Sequence, residues 1–187
     1  MDGYTRPIYQ FALRDDLTDE KQFLPTRAEP KASGWDVRAA MKDRRPLIIK
    51  PFDLVKIPLG FRGFCPEGWW YELKPRSSTF AKKNLHALYG TVDETYEGEL
   101  VFAAQYLPPV HYTEEWDDDD SWFEPERWDD YCAGNELKVE FGDAIGQIIP
   151  IRREDMAVQE VTNEEYDRLC RARSGTRGAG GFGSTGK

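Results

Sequence analysis

Ten short β-type runs, each broken by glycine, proline or polar residues, constrain this chain more than any other feature. They cover residues 8–13, 35–39, 47–50, 54–61, 69–73, 85–92, 99–106, 136–141, 145–151 and 157–161. Their number and spacing predict an all-β sandwich or barrel. The run Leu54-Val-Lys-Ile-Pro-Leu-Gly-Phe61 alternates in part, as a half-buried strand does, and Pro66-Glu-Gly68 reads as a turn between two runs. One short helix is predicted, where Thr162-Asn-Glu-Glu165 has capping-box form and Tyr166 and Leu169 follow at helical spacing. The 187 residues suit one domain with ample length for a buried core.

Composition narrows the function. A net charge of -9 argues against non-specific binding to a nucleic-acid backbone, which needs surplus lysine and arginine. A small phosphorylated substrate stays open, because a few local arginines suffice for it. No apolar run is long enough for a membrane span and no signal-peptide pattern opens the chain, so a cytoplasmic location is expected. Cys65, Cys132 and Cys170 show neither metal-ligand spacing nor a disulfide framework, and His86 and His111 are too few for a His-rich zinc site.

Two segments stand apart. Residues 108–135 are rich in Asp, Glu and Trp and include four consecutive aspartates, Asp117 to Asp120; they read as a long acidic insertion between strands. Residues 174–187 are nearly all Gly, Ser, Thr and Arg with one aromatic, Phe182, a composition that cannot bury enough to hold itself in place. The ending Gly181-Phe-Gly-Ser-Thr-Gly186-Lys187 fits the opening of a P-loop, but it lacks the preceding strand, the Ser or Thr after the lysine, and the following helix.

Five segments in fixed order carry more information. They are Ala32-Ser-Gly-Trp-Asp-Val-Arg-Ala-Ala40, Lys74-Pro-Arg-Ser-Ser-Thr-Phe80, Tyr89-Gly-Thr-Val-Asp-Glu-Thr-Tyr-Glu-Gly-Glu99, Gly142-Asp-Ala-Ile-Gly-Gln-Ile-Ile149 and Arg177-Gly-Ala-Gly-Gly-Phe-Gly-Ser-Thr-Gly186. In that order they resemble the five motifs of the trimeric dUTPase family. The resemblance implies a dUTPase-like β-sandwich or distorted jelly-roll over residues 1–173 and a mobile C-terminal lid over 174–187. It also implies a homotrimer whose lid closes an inter-subunit site, with Mg2+-dependent hydrolysis of dUTP to dUMP and pyrophosphate.

The resemblance also implies roles. Asp93 would orient and activate the water that attacks the α-phosphorus; on composition alone it is a turn aspartate. Tyr96 would lie under the deoxyribose and leave no room for a 2′-hydroxyl, whereas bare β propensity makes it a strand aromatic. Gly90 and Val92 would present main-chain groups to the uracil edge, since a strand glycine marks close approach or a bulge. Arg76, Ser77 and Ser78 would hold phosphates. Gln147 would contact the α-phosphate region or face a subunit interface. Asp36 would sit near the metal, through water, or serve structurally. From the tail, Arg177 would reach the γ-phosphate, Phe182 would stack on uracil, and Ser184 and Thr185 would add phosphate contacts.

The chain also departs from the family pattern. Ser78 replaces a usual glycine, as in the sister dCTP deaminases. Ala103 stands where those enzymes carry their catalytic glutamate, which removes the acid–base group deamination needs. Thr95 replaces a second aspartate, Ala144 an arginine and Trp35 a tyrosine. These departures motivate an alternative, a pyrophosphohydrolase for dCTP or a modified pyrimidine. A third reading is a regulatory protein of this fold that binds a partner through 108–135. There Trp116, Trp122, Phe123 and Trp128 interleave with carboxylates as interface anchors could. A plain solvated loop, or one folded over the site, fits the same composition.

Overall fold

The computed structural model describes residues 7–108 and 125–172. The regular structure of the described residues is mainly antiparallel β-sheet. The strands, in chain order, are β1 (Gln10–Leu13), β2 (Trp35–Arg38), β3 (Leu47–Ile49), β4 (Leu54–Pro58), β5 (Phe61–Phe64), β6 (Trp69–Pro75), β7 (Leu85–Ala87), β8 (Gly90–Val92), β9 (Val101–Tyr106), β10 (Leu137–Val139) and β11 (Ala144–Arg152). Helices α1 (Ser77–Lys83), α2 (Pro125–Gly134) and α3 (Asn163–Ala172) interrupt or follow them. The chain divides into two compact units at Arg153/Glu154. All eleven strands lie in the first unit and α3 lies in the second.

The strands form a four-stranded sheet in the order β2-β11-β6-β8, a three-stranded sheet β4-β9-β7, and the pairs β1-β5 and β10-β3. Alternation explains the core. Tyr71 and Leu73 point inward from β6, Phe102 and Ala104 from β9, and Ile148 from β11, while the residues between them are less buried. With Val37, Ile49, Ile57, Phe61, Leu85, Val139 and Ile145 they make one continuous core, and Leu17, Phe23 and Ala40 make a smaller satellite. Among the described residues Thr79 is the buried polar side chain; its hydroxyl donates to the Ile145 carbonyl at 2.6 Å. That bond pins α1 to β11.

The all-β sandwich expected from the sequence is observed, with local corrections. The run 54–61 is two strands, because Gly60 has φ +74° and a Cβ there would strike Leu17 and Ala40. The run 85–92 also splits: β7 stays on β9, while β8 leaves to pair with β6. Residues 157–161 form no strand; no strand among the described residues pairs with them, and Val158 is fully exposed. The expected helix is present as α3, with the Glu165 N–H donating to the Thr162 hydroxyl at 3.2 Å. Two further helices, α1 and α2, were not expected, and α2 occupies the end of the segment read as an acidic loop. Among the described residues no helix is long and apolar enough to cross a membrane.

Candidate active site

The residues assigned by motif fall into two groups on the four-stranded sheet. The first lies where β6 ends and α1 begins. Asp36 on β2 stands opposite Gln147 on β11, which stands opposite Lys74 on β6. Arg76, the extended residue that precedes α1, places its Nε 3.3 Å from the Asp36 carboxylate. Both side chains are only partly exposed. The Gln147 amide donates to the Pro75 carbonyl at 3.4 Å. Ser77 and Ser78 open α1, Ser77 exposed and Ser78 half-buried. Asp36, Arg76, Ser77, Ser78 and Gln147 therefore converge on one end of the sheet.

Gly34, in the first motif, belongs to this group for a reason of space. A Cβ on it would sit 2.7 Å from the Gln147 side-chain oxygen and 3.2 Å from the Ile148 carbonyl. Its lack of a side chain lets Gln147 lie against the start of β2. Among the described residues no three His, Cys, Asp or Glu side chains gather closely enough to cage a metal ion.

The second group follows β8. Gly90 and Val92 pair with Leu73 and Tyr71 of β6. Val92 turns its side chain against the core, leaving its main chain as the part a ligand could meet. β8 is the outer strand of its sheet, and no strand among the described residues pairs with its other edge. The Tyr96 N–H then donates to the Asp93 carbonyl at 3.1 Å, turning the chain back. Asp93 is exposed, and its carboxylate takes no hydrogen bond or ion pair among the described residues. Tyr96, 45% exposed, lies over Gly98 and donates from its hydroxyl to the Glu99 carbonyl at 3.1 Å. A Cβ on Gly98 would sit 2.7 Å from the Tyr96 ring, so this glycine makes the ring position possible.

Asp93 opens onto a cleft of about 360 Å³ lined by Trp69, Trp70, Thr91, Glu94, Thr95 and Arg153. Glu94 anchors its wall: one carboxylate oxygen accepts from the Gly68 N–H at 3.1 Å and from Arg153 Nη1 at 2.8 Å. Glu99 is anchored too, accepting from Arg14 at 2.7 Å and from the Gly60 N–H at 3.1 Å. Below lies Tyr71, whose hydroxyl is held well above the usual phenol range by burial first, then by the nearby Cys65, Tyr9 and Tyr96. Burial likewise pushes the Cys65 thiol up to about 11, with the Glu94 charge adding to it.

Sequence reasoning identified both groups but missed Glu94, Arg153, Gly34 and Thr79. Their partners are distant in the chain, and the motifs that contain Gly34, Thr79 and Glu94 do not reveal them. The departures are accommodated. Trp35 packs at 6.1 Å from the Tyr9 ring and carries Arg27 over its face at 4.4 Å, Ala144 sits beside a β-bulge, and Thr95 faces the cleft. Arg177, Phe182, Ser184 and Thr185, the lid over 174–187, and Trp116, Trp122 and Phe123 lie outside the described residues.

No family model matches the chain. Among curated proteins, the deoxyuridine 5'-triphosphate nucleotidohydrolase of Aquifex aeolicus is 46% identical over 79 residues, 41% of this chain and 51% of that relative. The protein of the same name from Rhizobium leguminosarum is 31% identical over 165 residues, 87% of this chain and 85% of that relative. The chain thus matches about half the length of the first and most of the second. Among solved structures, the Staphylococcus bacteriophage 80alpha dUTPase with dUpNHpp aligns at a TM-score of 0.65 and 18% identity, covering 96% of this chain and 99% of that one, a likeness of fold.

Proposed function

The chain belongs to the dUTPase family, and on that premise we propose that it hydrolyses dUTP to dUMP and pyrophosphate in a site completed by other copies of the chain. One observation carries the composite site. Val92 pairs with Tyr71, so Asp93 lies beside Trp70, at the start of β6, whereas Arg76 follows its end. The six residue steps from Trp70 to Arg76 amount to about 20 Å. That is beyond the span over which an arginine and a water-orienting carboxylate can serve the same α-phosphorus. The two groups of one chain therefore belong to different sites, and each site takes its phosphate group from a neighbouring copy. A closed ring gives every copy both roles, and a homotrimer satisfies this.

Within such a site the residues divide the work. The free edge of β8 at Gly90 and Val92 reads the uracil through main-chain groups. Tyr96, held over Gly98, supports the deoxyribose and crowds out a 2′-hydroxyl. From a neighbouring copy, Arg76, Ser77 and Ser78 hold phosphate oxygens and Gln147 lies toward the α-phosphate. Asp93 accepts a proton from water as that water's oxygen bonds to the α-phosphorus. The bond from the α-phosphorus to the bridging oxygen breaks, and pyrophosphate leaves. A placed general base of this kind supplies roughly 10²- to 10⁴-fold. Arg177, Phe182, Ser184 and Thr185 would complete the site from the tail and exclude water.

A single carboxylate beside a guanidinium does not cage a bare cation, but it fits Mg2+ whose ligands are mostly triphosphate oxygens and water. Asp36 would hold such an ion through water. The ion would neutralise charge on the triphosphate.

Mixed assemblies test the proposal. Arg76→Ala and Asp93→Asn each remove one group, and each should be inactive alone. Unfolded together and refolded as mixed oligomers, they should regain a substantial fraction of wild-type turnover, because some sites then combine an intact Asp93 with an intact Arg76. No recovery in mixed oligomers of verified composition overturns the composite site.

A further inference from the structure

Among the described residues Asp93 has no side-chain partner to hold it, yet the reaction proposed above needs it in one place. The adjacent residue supplies what holds it. The Glu94 carboxylate is about three-quarters buried and accepts the Gly68 N–H and Arg153 Nη1 on one oxygen. The Arg153 N–H donates in turn to the Gly68 carbonyl at 2.8 Å. Three chain segments are thereby closed into a ring: the turn before β6, the turn after β8, and the residue that follows β11. Gly68 has φ +75°, a left-handed backbone that glycine adopts without cost, and this sets its N–H toward Glu94. Both hydrogen bonds are charge-assisted, the stronger class.

We propose that Glu94 is a positioning residue: its clamp on Gly68 and Arg153 fixes the main chain that carries Asp93, leaving the Asp93 carboxylate without a partner among the described residues and available to water. The inference rests on the catalytic reading of Asp93. It separates two jobs that one aspartate could not perform well together. A carboxylate tied down by its own hydrogen bonds would be a weaker base. Here the tether sits one residue away. The sequence motif places Glu94 beside Asp93 but gives no hint of its partners, which lie 26 and 59 residues distant.

The test uses the full chain and two readouts. Glu94→Ala should lower kcat for dUTP by about 10- to 100-fold, as expected when a reacting group is loosened by a fraction of an ångström to one ångström, with KM within about twofold of wild type. Glu94→Ala/Arg153→Ala should be little worse than Glu94→Ala, because both act through one clamp. Amide hydrogen exchange should quicken at Gly68, which loses its acceptor, and also at Tyr96, whose N–H closes the Asp93 turn. If wild type turns over and Glu94→Ala keeps kcat within twofold, the proposal fails. It fails equally if exchange quickens at Gly68 but not at Tyr96, because the clamp then does not reach the Asp93 turn. If Glu94→Ala does not fold, Glu94→Gln decides on the same criteria, with a smaller expected loss because it keeps an acceptor for Gly68. A wild type inactive on dUTP faults the catalytic reading instead, and the exchange measurement still judges the clamp.

Discussion

Gly90→Ala separates what the fold needs from what the substrate needs. Gly90 has no positive φ, and a Cβ built on it meets only the Leu73 Cβ, at 3.7 Å, ordinary van der Waals contact. Nothing among the described residues therefore demands glycine there. Replacing it should leave stability unchanged or raise it by about 0.4–1 kcal/mol, through lower entropy of the unfolded chain. For a domain of this size that is a melting rise of roughly 1–4 °C. Binding should move the other way. A methyl on Gly90, on the Leu73 face of β8, would crowd a uracil seated against that backbone and cost at least one hydrogen bond. An unmet buried hydrogen bond costs about 1–3 kcal/mol, or roughly 5- to 150-fold in kcat/KM for dUTP. Differential scanning calorimetry and initial-rate kinetics on one preparation read both. A stable variant with wild-type kcat/KM would refute uracil recognition at this edge. A melting temperature lowered by several degrees would refute the packing argument.

Two further expectations follow from bonds elsewhere in the fold. Thr79→Val keeps shape but strips the hydroxyl from the Ile145 carbonyl; thermal unfolding should show a loss of about 1–3 kcal/mol, with Thr79→Ser closer to wild type, and an unchanged melt would mean this bond contributes nothing. Asp16 is held below its usual carboxylate range, first by the hydrogen bond from Arg14 and then by its charge. Because the folded value is the lower one, the pair stabilises above the unfolded pKa, near 4, and that contribution is lost as pH falls below it. Denaturant melts across pH 2–7 should show Asp16→Asn less stable at neutral pH but less sensitive to acid than wild type; parallel profiles would contradict the assignment.

Much of the fold was legible because a strand buried on one face shows its period. Tyr71, Leu73, Phe102 and Ala104 alternate with less buried residues, and the runs they lie in are found within a few positions. What failed had no period to show. α1 buries only Thr79, so its seven residues carry no apolar stripe; its signals were Lys82 and Lys83 in the last turn and Asn84 at φ 49° as a left-handed cap. α2 begins at Pro125, a favoured first helical residue, but its acidic composition read as loop. Residues 157–161 have β-type composition without a partner among the described residues, and strands form in pairs. The run 54–61 was cut by packing around Gly60, which only the tertiary neighbours Leu17 and Ala40 reveal.

The site divides in the same way. Asp36, Arg76, Asp93, Tyr96 and Gln147 were recognisable from their order along the chain, through family resemblance. Their distribution over two ends of one sheet was not, because it depends on β8 pairing with β6 rather than continuing β7. The residues that support the candidate site, Glu94, Arg153, Gly34 and Thr79, act on partners far along the chain that local patterns do not identify.

Pyrophosphate release with Mg2+ from dUTP, dCTP, dTTP and UTP, run on wild type and Asp93→Asn, decides whether the chain hydrolyses dUTP through Asp93. Turnover of dUTP alone, lost by at least 10²-fold in Asp93→Asn, is the predicted result. Turnover of dCTP, of no nucleotide, or of dUTP at an undiminished rate in Asp93→Asn would contradict it.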